Sequence, residues 1–351
     1  MGIARLQNGD LFSISIVQLN RNDPMPALVS VRCRWLILLV VLLAASDVRA
    51  QRAPKSFTSP EDVGYRQATI MSEGVRLAAE LFWPKEGDGK PLPTIVMSHG
   101  WGGEASLLRN EAVRFAQAGY FVVTFDYRGW GASDSRVILT SPPPKERSGG
   151  KFTAEVQEVR EVVDPLEQTT DLLNVLHWVV GEKQCDPQRI GLWGSSYSGG
   201  HVVYAAAHDP RVKATVSQVP ALDSRWVEST DAERELTLRE ATQRARGEIG
   251  YPKPGARVIG NLKGAPIRDK LTHYAPVDDA DKAPGCAMLF VLAENEELFD
   301  NQEHGIKAYD RATGPKKLII VPKIKHYGIY LEARDQAFQH ALAWFDEHLK
   351  K

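Results

Sequence analysis

The chain has 351 residues, with 43 Lys and Arg against 44 Asp and Glu, a formal net charge of −1 and 43% hydrophobic residues. That balance, without any basic run, excludes the electrostatic face that grips phosphate backbones, and with it nucleic acid as a partner. No apolar stretch is long enough for a stable membrane span, and the supply of Val, Leu, Ile and aromatic residues excludes wholesale disorder.

Residues 35 to 45 form an uncharged apolar run, preceded by Arg32 and Arg34 and followed by the small-x-small ending Val48-Arg49-Ala50. This is the layout of a secretory signal peptide cleaved after Ala50. At about 1.5 Å per residue the run reaches only about half of a bilayer core of roughly 30 Å. A start at Met25 makes the signal a conventional one, and the expected location is secreted or periplasmic. Cys33 leaves with this segment. Cys185 and Cys286 remain, each ahead of an expected strand; an oxidising compartment allows them to pair, and the favoured reading is two unpaired buried thiols. No CxxC or Cys/His cluster points to structural zinc.

From residue 65 the pattern alternates strands and helices. Arg66 to Ser72 and Val75 to Trp83, separated by Glu73-Gly74, read as an antiparallel hairpin. Thr94 to Ser98 is a short apolar strand, Leu107 to Ala118 a helix stopped by Gly119, and Phe121 to Phe125 a buried strand. Residues 132 to 163, with Ser-Pro-Pro-Pro and Ser-Gly-Gly, show no clean period and read as a long loop excursion. A helix over Leu166 to Val180, a strand over Arg189 to Trp193, a helix over Tyr197 to His208 and a strand over Ala214 to Val219 follow. A charged helix, Glu228 to Arg246, and a Pro/Gly-rich stretch then interrupt the alternation, which marks about 223–275 as a cap insertion. The strand Ala287 to Ala293, the helix Gln302 to Arg311, the strand Lys317 to Val321 and the helix Leu331 to Leu349 close the chain. Continuous apolar strands between amphipathic helices predict one α/β domain over 51–351: a doubly wound, mostly parallel sheet with a small helical cap.

The stretch Arg189-Ile-Gly-Leu-Trp-Gly-Ser-Ser-Tyr-Ser-Gly-Gly200 runs a strand into a helix through very small residues. A nucleophile on so sharp a turn needs small neighbours two positions away on each side. Ser196 has Gly194 and Ser198 there; Ser195 has Trp193 and Tyr197, which are too large, and Ser198 lies inside the helix. At the end of an earlier strand comes His99-Gly-Trp-Gly-Gly103. The main-chain N–H groups of Trp101 and Tyr197 are therefore expected to form a two-donor oxyanion hole. His99 is read as a residue that holds its loop.

A serine needs a base, and of the nine histidines His326 falls between the last strand and the last helix. His273 and His304 are weaker competitors. The base needs an acid to fix its tautomer, and Glu294, Glu296, Glu297 and Asp300 crowd the loop after the strand 287–293. Glu296 lies far enough past the strand to turn toward His326; Glu297 and Asp223 are the alternatives. The order Ser196, Glu296, His326 is nucleophile, acid, base.

With His-Gly-Trp-Gly-Gly, Phe125-Asp-Tyr-Arg-Gly-Trp-Gly-Ala-Ser133, Gly-Ser-Ser-Tyr-Ser-Gly-Gly-His201, Ala-Glu-Asn-Glu-Glu and Lys-His-Tyr-Gly, the chain resembles the α/β-hydrolase superfamily over nearly all of 65–350. Within it, the serine motif, Asp-Pro-Arg-Val and Ser-Gln-Val-Pro look like the dienelactone-hydrolase and X-Pro dipeptidyl-peptidase-like group, which includes polyketide transferases. Two positions depart from that pattern: Ser198 stands where the family has Gly, and Glu296 where its acid is Asp. The resemblance also implies that Asp126 is structural.

The expected activity is that of a serine hydrolase cleaving a carboxylic ester through an acyl-enzyme, with a Ser-His-Glu triad and no metal or organic cofactor. An X-Pro-type peptidase and an acyltransferase or thioesterase use the same triad, and a silent binding protein stands as the contrasting class. The partner is a small-molecule ester or amide. The cap and the excursion are expected to line its pocket, with Trp226, Tyr251 and Tyr274 favouring apolar or aromatic acyl groups.

Overall fold

Glu73 and Gly74 both take positive φ, 48° and 88°, as a tight two-residue hairpin turn requires. They fold strand β1 (Val63–Ser72) back onto β2 (Val75–Pro84) in antiparallel register. In the computed structural model, residues 57–350 are described apart from 88 and 259–261, so the apolar run at 35–45 lies outside the described residues.

Six further strands complete the main sheet: β3 (Leu92–Ser98), β4 (Phe121–Phe125), β8 (Cys185–Ser195), β9 (Val212–Gln218), β11 (Ala287–Ala293) and β12 (Lys316–Val321). Its order is β1-β2-β4-β3-β8-β9-β11-β12, antiparallel as far as β4 and parallel from there on. Every residue of β4 and β11 is buried, the physical reason that both read as unbroken apolar runs: helices cover both of their faces.

The faces separate along β8. A side chain at Gly191 would run into Phe345 and Leu349 of the last helix, whereas one at Gly194 would run into Ser198 and Val202. Strand residues of opposite parity point to opposite faces. Helices α1 (Arg109–Gln117) and α7 (Arg334–Leu349) therefore share one face, joined by Phe115 against Phe338 at 4.7 Å between ring centres. Helices α2 (Pro165–Val179) and α3 (Tyr197–His208) pack together on the other. Asp164 begins α2 by accepting from the Leu166 and Glu167 amides, and Pro165 occupies the first helical position, where its missing N–H costs nothing.

The excursion 132–163 is more ordered than its sequence indicates. Strands β5 (Arg136–Leu139) and β6 (Val156–Val159) form an antiparallel ribbon outside the main sheet. Neither ribbon face is buried, and Val137, Leu139 and Val156 are all exposed, so no inside/outside alternation existed to be read. The short β7 (Val162–Val163) pairs with β10 (Ala265–Pro266), tying the excursion to the cap. The cap itself carries α4 (Asp231–Ala245), begun by the Thr230 hydroxyl accepting from the Glu233 amide, and a single turn, α5 (Arg268–Leu271). The helix expected over 302–311 divides into a π-turn (Gln302–Ile306) and α6 (Lys307–Arg311).

One buried ion pair fixes the loop after β4. Asp171 on α2 is fully buried and accepts from the Arg128 amide at 2.9 Å and from its guanidinium at 2.6 and 2.9 Å. Removing Asp171 takes away the shortest contacts of the Arg128 guanidinium and leaves it Ser72 and the longer approaches to Glu167 at 3.6 Å and Glu73 at 3.8 Å. Asp171→Ala is expected to lower unfolding free energy by about 3–5 kcal/mol, read from the denaturant midpoint.

Candidate active site

The turn that carries Ser196 is built by steric necessity. Ser195 ends β8, α3 starts at Tyr197, and Ser196 between them holds φ 58° and ψ −122°. Such a backbone costs a non-glycine residue of the order of 1–3 kcal/mol and persists only where its surroundings hold it. Gly194 is required, since a Cβ there would sit 2.2 Å from the Ser198 carbonyl oxygen. Gly100 is equally constrained: its Cβ would lie 2.7 Å from the Ser195 carbonyl oxygen and 3.0 Å from Ser196 Cβ. The loop after β3 thus packs its backbone directly on the turn.

The three serines have different surroundings. Ser195 Oγ bonds Tyr330 Oη at 2.7 Å and accepts from Gln218 Nε2 at 3.1 Å. Ser198 is fully buried, with its hydroxyl on Ser98 Oγ and 3.3 Å from Tyr127 Oη. Ser196 Oγ lies 3.0 Å from His326 Nε2, and His326 Nδ1 lies 2.7 Å from Glu296 Oε2. The carboxylate makes Nδ1 the protonated nitrogen, so Nε2 is free to accept from the serine. Both side chains are almost wholly buried, at 2% and 1% exposure.

The acidic loop separates into distinct roles. Glu294 accepts from the Lys323 amide at 2.6 Å, Glu297 from the His326 amide at 2.8 Å, and Asp300 from the Gln302 amide at 2.8 Å. Glu296 alone of the four bonds the imidazole, and its other oxygen accepts from the Leu298 amide at 3.0 Å. Asp223 is bound to Arg225, which also reaches Asp278. His304 accepts from the Leu222 amide at 2.8 Å.

Among the described residues, the main-chain N–H groups of Trp101 and Tyr197 are committed to no acceptor. The Trp101 indole donates to the Gly264 carbonyl at 3.0 Å and packs edge-on against the Tyr197 ring, 5.1 Å between centres. Asp126 ties loops together: its carboxylate accepts from the Ala105 amide at 2.7 Å and the Ala132 amide at 2.9 Å.

His99 Nδ1 donates to the Gly100 carbonyl at 3.0 Å, and Nε2 has no partner. Burial pushes its pKa down to about 4, and that of His201, held between Tyr274 and Gln168, down to about 3. Both are therefore neutral in the folded chain and take up protons on unfolding below their ordinary value of 6.5. The unfolded state binds more protons there, so stability is full above pH 6.5 and falls on acidification. Each histidine is expected to remove up to about 1.4 kcal/mol of stability per pH unit from there down to its folded value, about 4 for His99 and about 3 for His201, measured by urea unfolding across that range. Burial raises the carboxyls of Asp126, Asp164 and Asp171, an effect of opposite sign.

The space beside Ser196 corrects one expectation. A cavity of about 440 Å³ is lined by Ser196, His326, the 99–103 loop, and side chains of α1, α7 and their flanking turns. Residues 132–163 contribute nothing to it, and the described cap residues only Leu262. Trp226 and Tyr251 instead face a second cavity of about 710 Å³ beneath the cap, which Ser196 does not line. Tyr274 is buried against His201. The cause is strand parity: Trp193 and Ser195 look toward the α1/α7 face. Leu107, Leu108 and Phe338 give no separate sequence signal, because their spacing is that of any packed helix face.

Cys185 and Cys286 are both free and buried, and burial pushes the Cys286 thiol up to about 12. Among the described residues no group of His, Cys, Asp and Glu is placed to hold a metal ion, and no helix is long and apolar enough to cross a membrane.

Comparison with known proteins gives the same picture of the fold. Residues 73–234 match the family model of the X-Pro dipeptidyl-peptidase (S15) family. An uncharacterized 31.7 kDa protein of Escherichia coli, from a traX-finO intergenic region, is 30% identical over 312 residues, covering 80% of this chain and 98% of that one. A thiohydrolase of Arthrinium phaeospermum is 30% identical over 160 residues, 44% of this chain and 45% of that one. The crystal structure of a hypothetical protein from Pseudomonas aeruginosa superposes with a TM-score of 0.67 at 23% identity, covering 85% of this chain and 99% of that one.

Proposed function

The chain belongs to the α/β-hydrolase superfamily, on the side of the X-Pro dipeptidyl-peptidase (S15) family, and from that premise we propose that it is a serine hydrolase cleaving a carboxylic ester. The observation that carries the reading is the continuous hydrogen-bonded line from Ser196 Oγ through His326 to Glu296. Its serine sits on a turn held at φ 58°, a strained backbone that its surroundings maintain.

In the reaction, Ser196 Oγ attacks the ester carbonyl while His326 Nε2 takes its proton. The oxyanion is met by the Trp101 and Tyr197 amides, donors that need no reorganisation when charge develops. Glu296 stabilises the imidazolium that forms. Collapse breaks the bond to the alkoxide, which leaves with the proton from His326, and the acyl group stays on Ser196. Water, deprotonated by His326, then releases the acid by the same steps in reverse. No metal or organic cofactor enters.

Peptide cleavage is less well supported. An exopeptidase presents an acidic group to a free amine, and Glu228, Glu233 and Glu235 are the cap's candidates. None of them lines the cavity that holds Ser196, Glu233 is bound to Arg268, and Glu235 lies beside Arg239 at 3.5 Å. Hydrolysis of p-nitrophenyl butyrate with labelling of Ser196 by a fluorophosphonate tests the reading. Labelling without ester turnover would replace it by acyl transfer or Xaa-Pro amide cleavage.

Export is part of the same proposal, supported by the arginines, apolar run and small-x-small ending of residues 32–50. A mature N-terminus at Gln51, read by mass spectrometry of the exported protein, is the expected result.

A further inference from the structure

We infer that the substrate's acyl group is an apolar chain longer than acetyl, seated between α1 and α7 and leaving across an apolar lip. The inference rests on the serine-hydrolase reading and names the substrate class of that site. In the acyl-enzyme the carbonyl carbon is bonded to Ser196 Oγ, so the chain attached to it must begin in the cavity that Ser196 lines. That is the 440 Å³ cleft and not the larger cavity under the cap, which is edged by Glu233, Glu240, Arg244 and Arg268.

A cleft of this volume belongs to the class that encloses ligands well beyond two carbons. Its walls are apolar: Leu108, Trp193, Ile329 and Phe338 are all less than a tenth exposed. Apart from the imidazole, the charged groups in its lining are Glu111 and Arg334, and these bind each other through Arg334 Nε. A charged acyl group entering here would lose its water and gain no partner, at a cost of several kcal/mol. An apolar one gains from each methylene buried.

The mouth continues the same character. Leu107 is 69% exposed and Tyr327 43%, and both edge the cavity. A single exposed apolar side chain is ordinary; two at the edge of an apolar cleft beside a nucleophile make a track for a chain longer than the cleft.

The test is kcat/KM for p-nitrophenyl acetate, butyrate, octanoate and dodecanoate with the whole protein. Each buried methylene is worth at most about fourfold, and the expected rise from acetate to octanoate is at least about tenfold. Leu107→Glu, at an exposed position that the fold tolerates, should lower the octanoate-to-acetate ratio about fivefold or more. Met71→Glu, at a 57% exposed position on β1, should leave that ratio unchanged. Acetate turned over as well as octanoate, in a reaction abolished by Ser196→Ala, would overturn the acyl-chain inference and leave the hydrolase reading standing. An unaltered ratio in Leu107→Glu would overturn the lip. Failure of a fluorophosphonate to label Ser196 would overturn the hydrolase reading itself, and this inference with it.

Discussion

Ser196→Ala is expected to lower kcat on p-nitrophenyl butyrate by about a millionfold and to abolish fluorophosphonate labelling, while leaving the unfolding midpoint almost unchanged. The size follows from what remains. Without the hydroxyl there is no acyl-enzyme, and the Trp101 and Tyr197 amides can only assist water directly. The small effect on stability follows from the backbone: alanine keeps the Cβ, so the strain at φ 58° is the same in both proteins. Neither neighbouring serine can take over. The Ser195 hydroxyl is held by Tyr330 and Gln218, and that of Ser198 by Ser98 and Tyr127, with no base beside either. Activity above about 1% in the variant would mean that one of them does attack, and would sink the assignment.

How far the sequence reveals this site depends on whether a position is fixed by local sterics or by distant packing. The serine turn is legible because its constraints are local: Gly194 is excluded from bearing a side chain by the carbonyl of Ser198, four residues on. His326 is legible from topology, as the histidine after the last parallel strand. The acid is legible as a preference for Glu296 within a group of four carboxylates, with Glu297 and Asp223 as alternatives, because what separates the four in space is which donors each meets, main-chain amides and the His326 ring among them. Those amides belong to Lys323, His326, Gln302 and Leu298, and all but the last two come from a different strand-end loop. The cleft is not legible at all. Leu107, Leu108 and Phe338 carry helical periodicity whether they face a core or an opening, and the choice is made by where α1, packed on β2 and β4, and α7, packed on β9, β8 and β11, leave a cleft between them. The β5–β6 ribbon escapes for the opposite reason, since it buries neither face and leaves no periodic trace.

Glu296→Gln carries the second large effect, a loss of about 10⁴ in kcat with the protein still folded. The carboxylate has two oxygens and two donors to meet, His326 Nδ1–H and the Leu298 amide. An amide side chain has one oxygen, so one of those donors must face its NH₂. If the NH₂ faces the imidazole, Nδ1 becomes the acceptor and the ring proton moves to Nε2, where it points at Ser196 Oγ and cannot take the serine's proton. If the oxygen faces the imidazole, the NH₂ opposes the Leu298 amide, and the imidazolium still loses its negative partner at a ring that is 2% exposed. Glu296→Asp keeps the charge and withdraws it by one methylene, for an expected loss of about 10². Glu297→Gln should cost less than tenfold, because a carbonyl oxygen still accepts from the His326 amide, though less strongly than a carboxylate does. Asp223→Asn should leave kcat alone and act through the Arg225 contact on stability. A loss in Glu297→Gln or Asp223→Asn as large as that in Glu296→Gln would move the acid to that residue. With the predicted order of losses, the glutamate that replaces the family's aspartate is the group that orients the base, and its longer arm is matched by the Leu298 amide that holds its second oxygen.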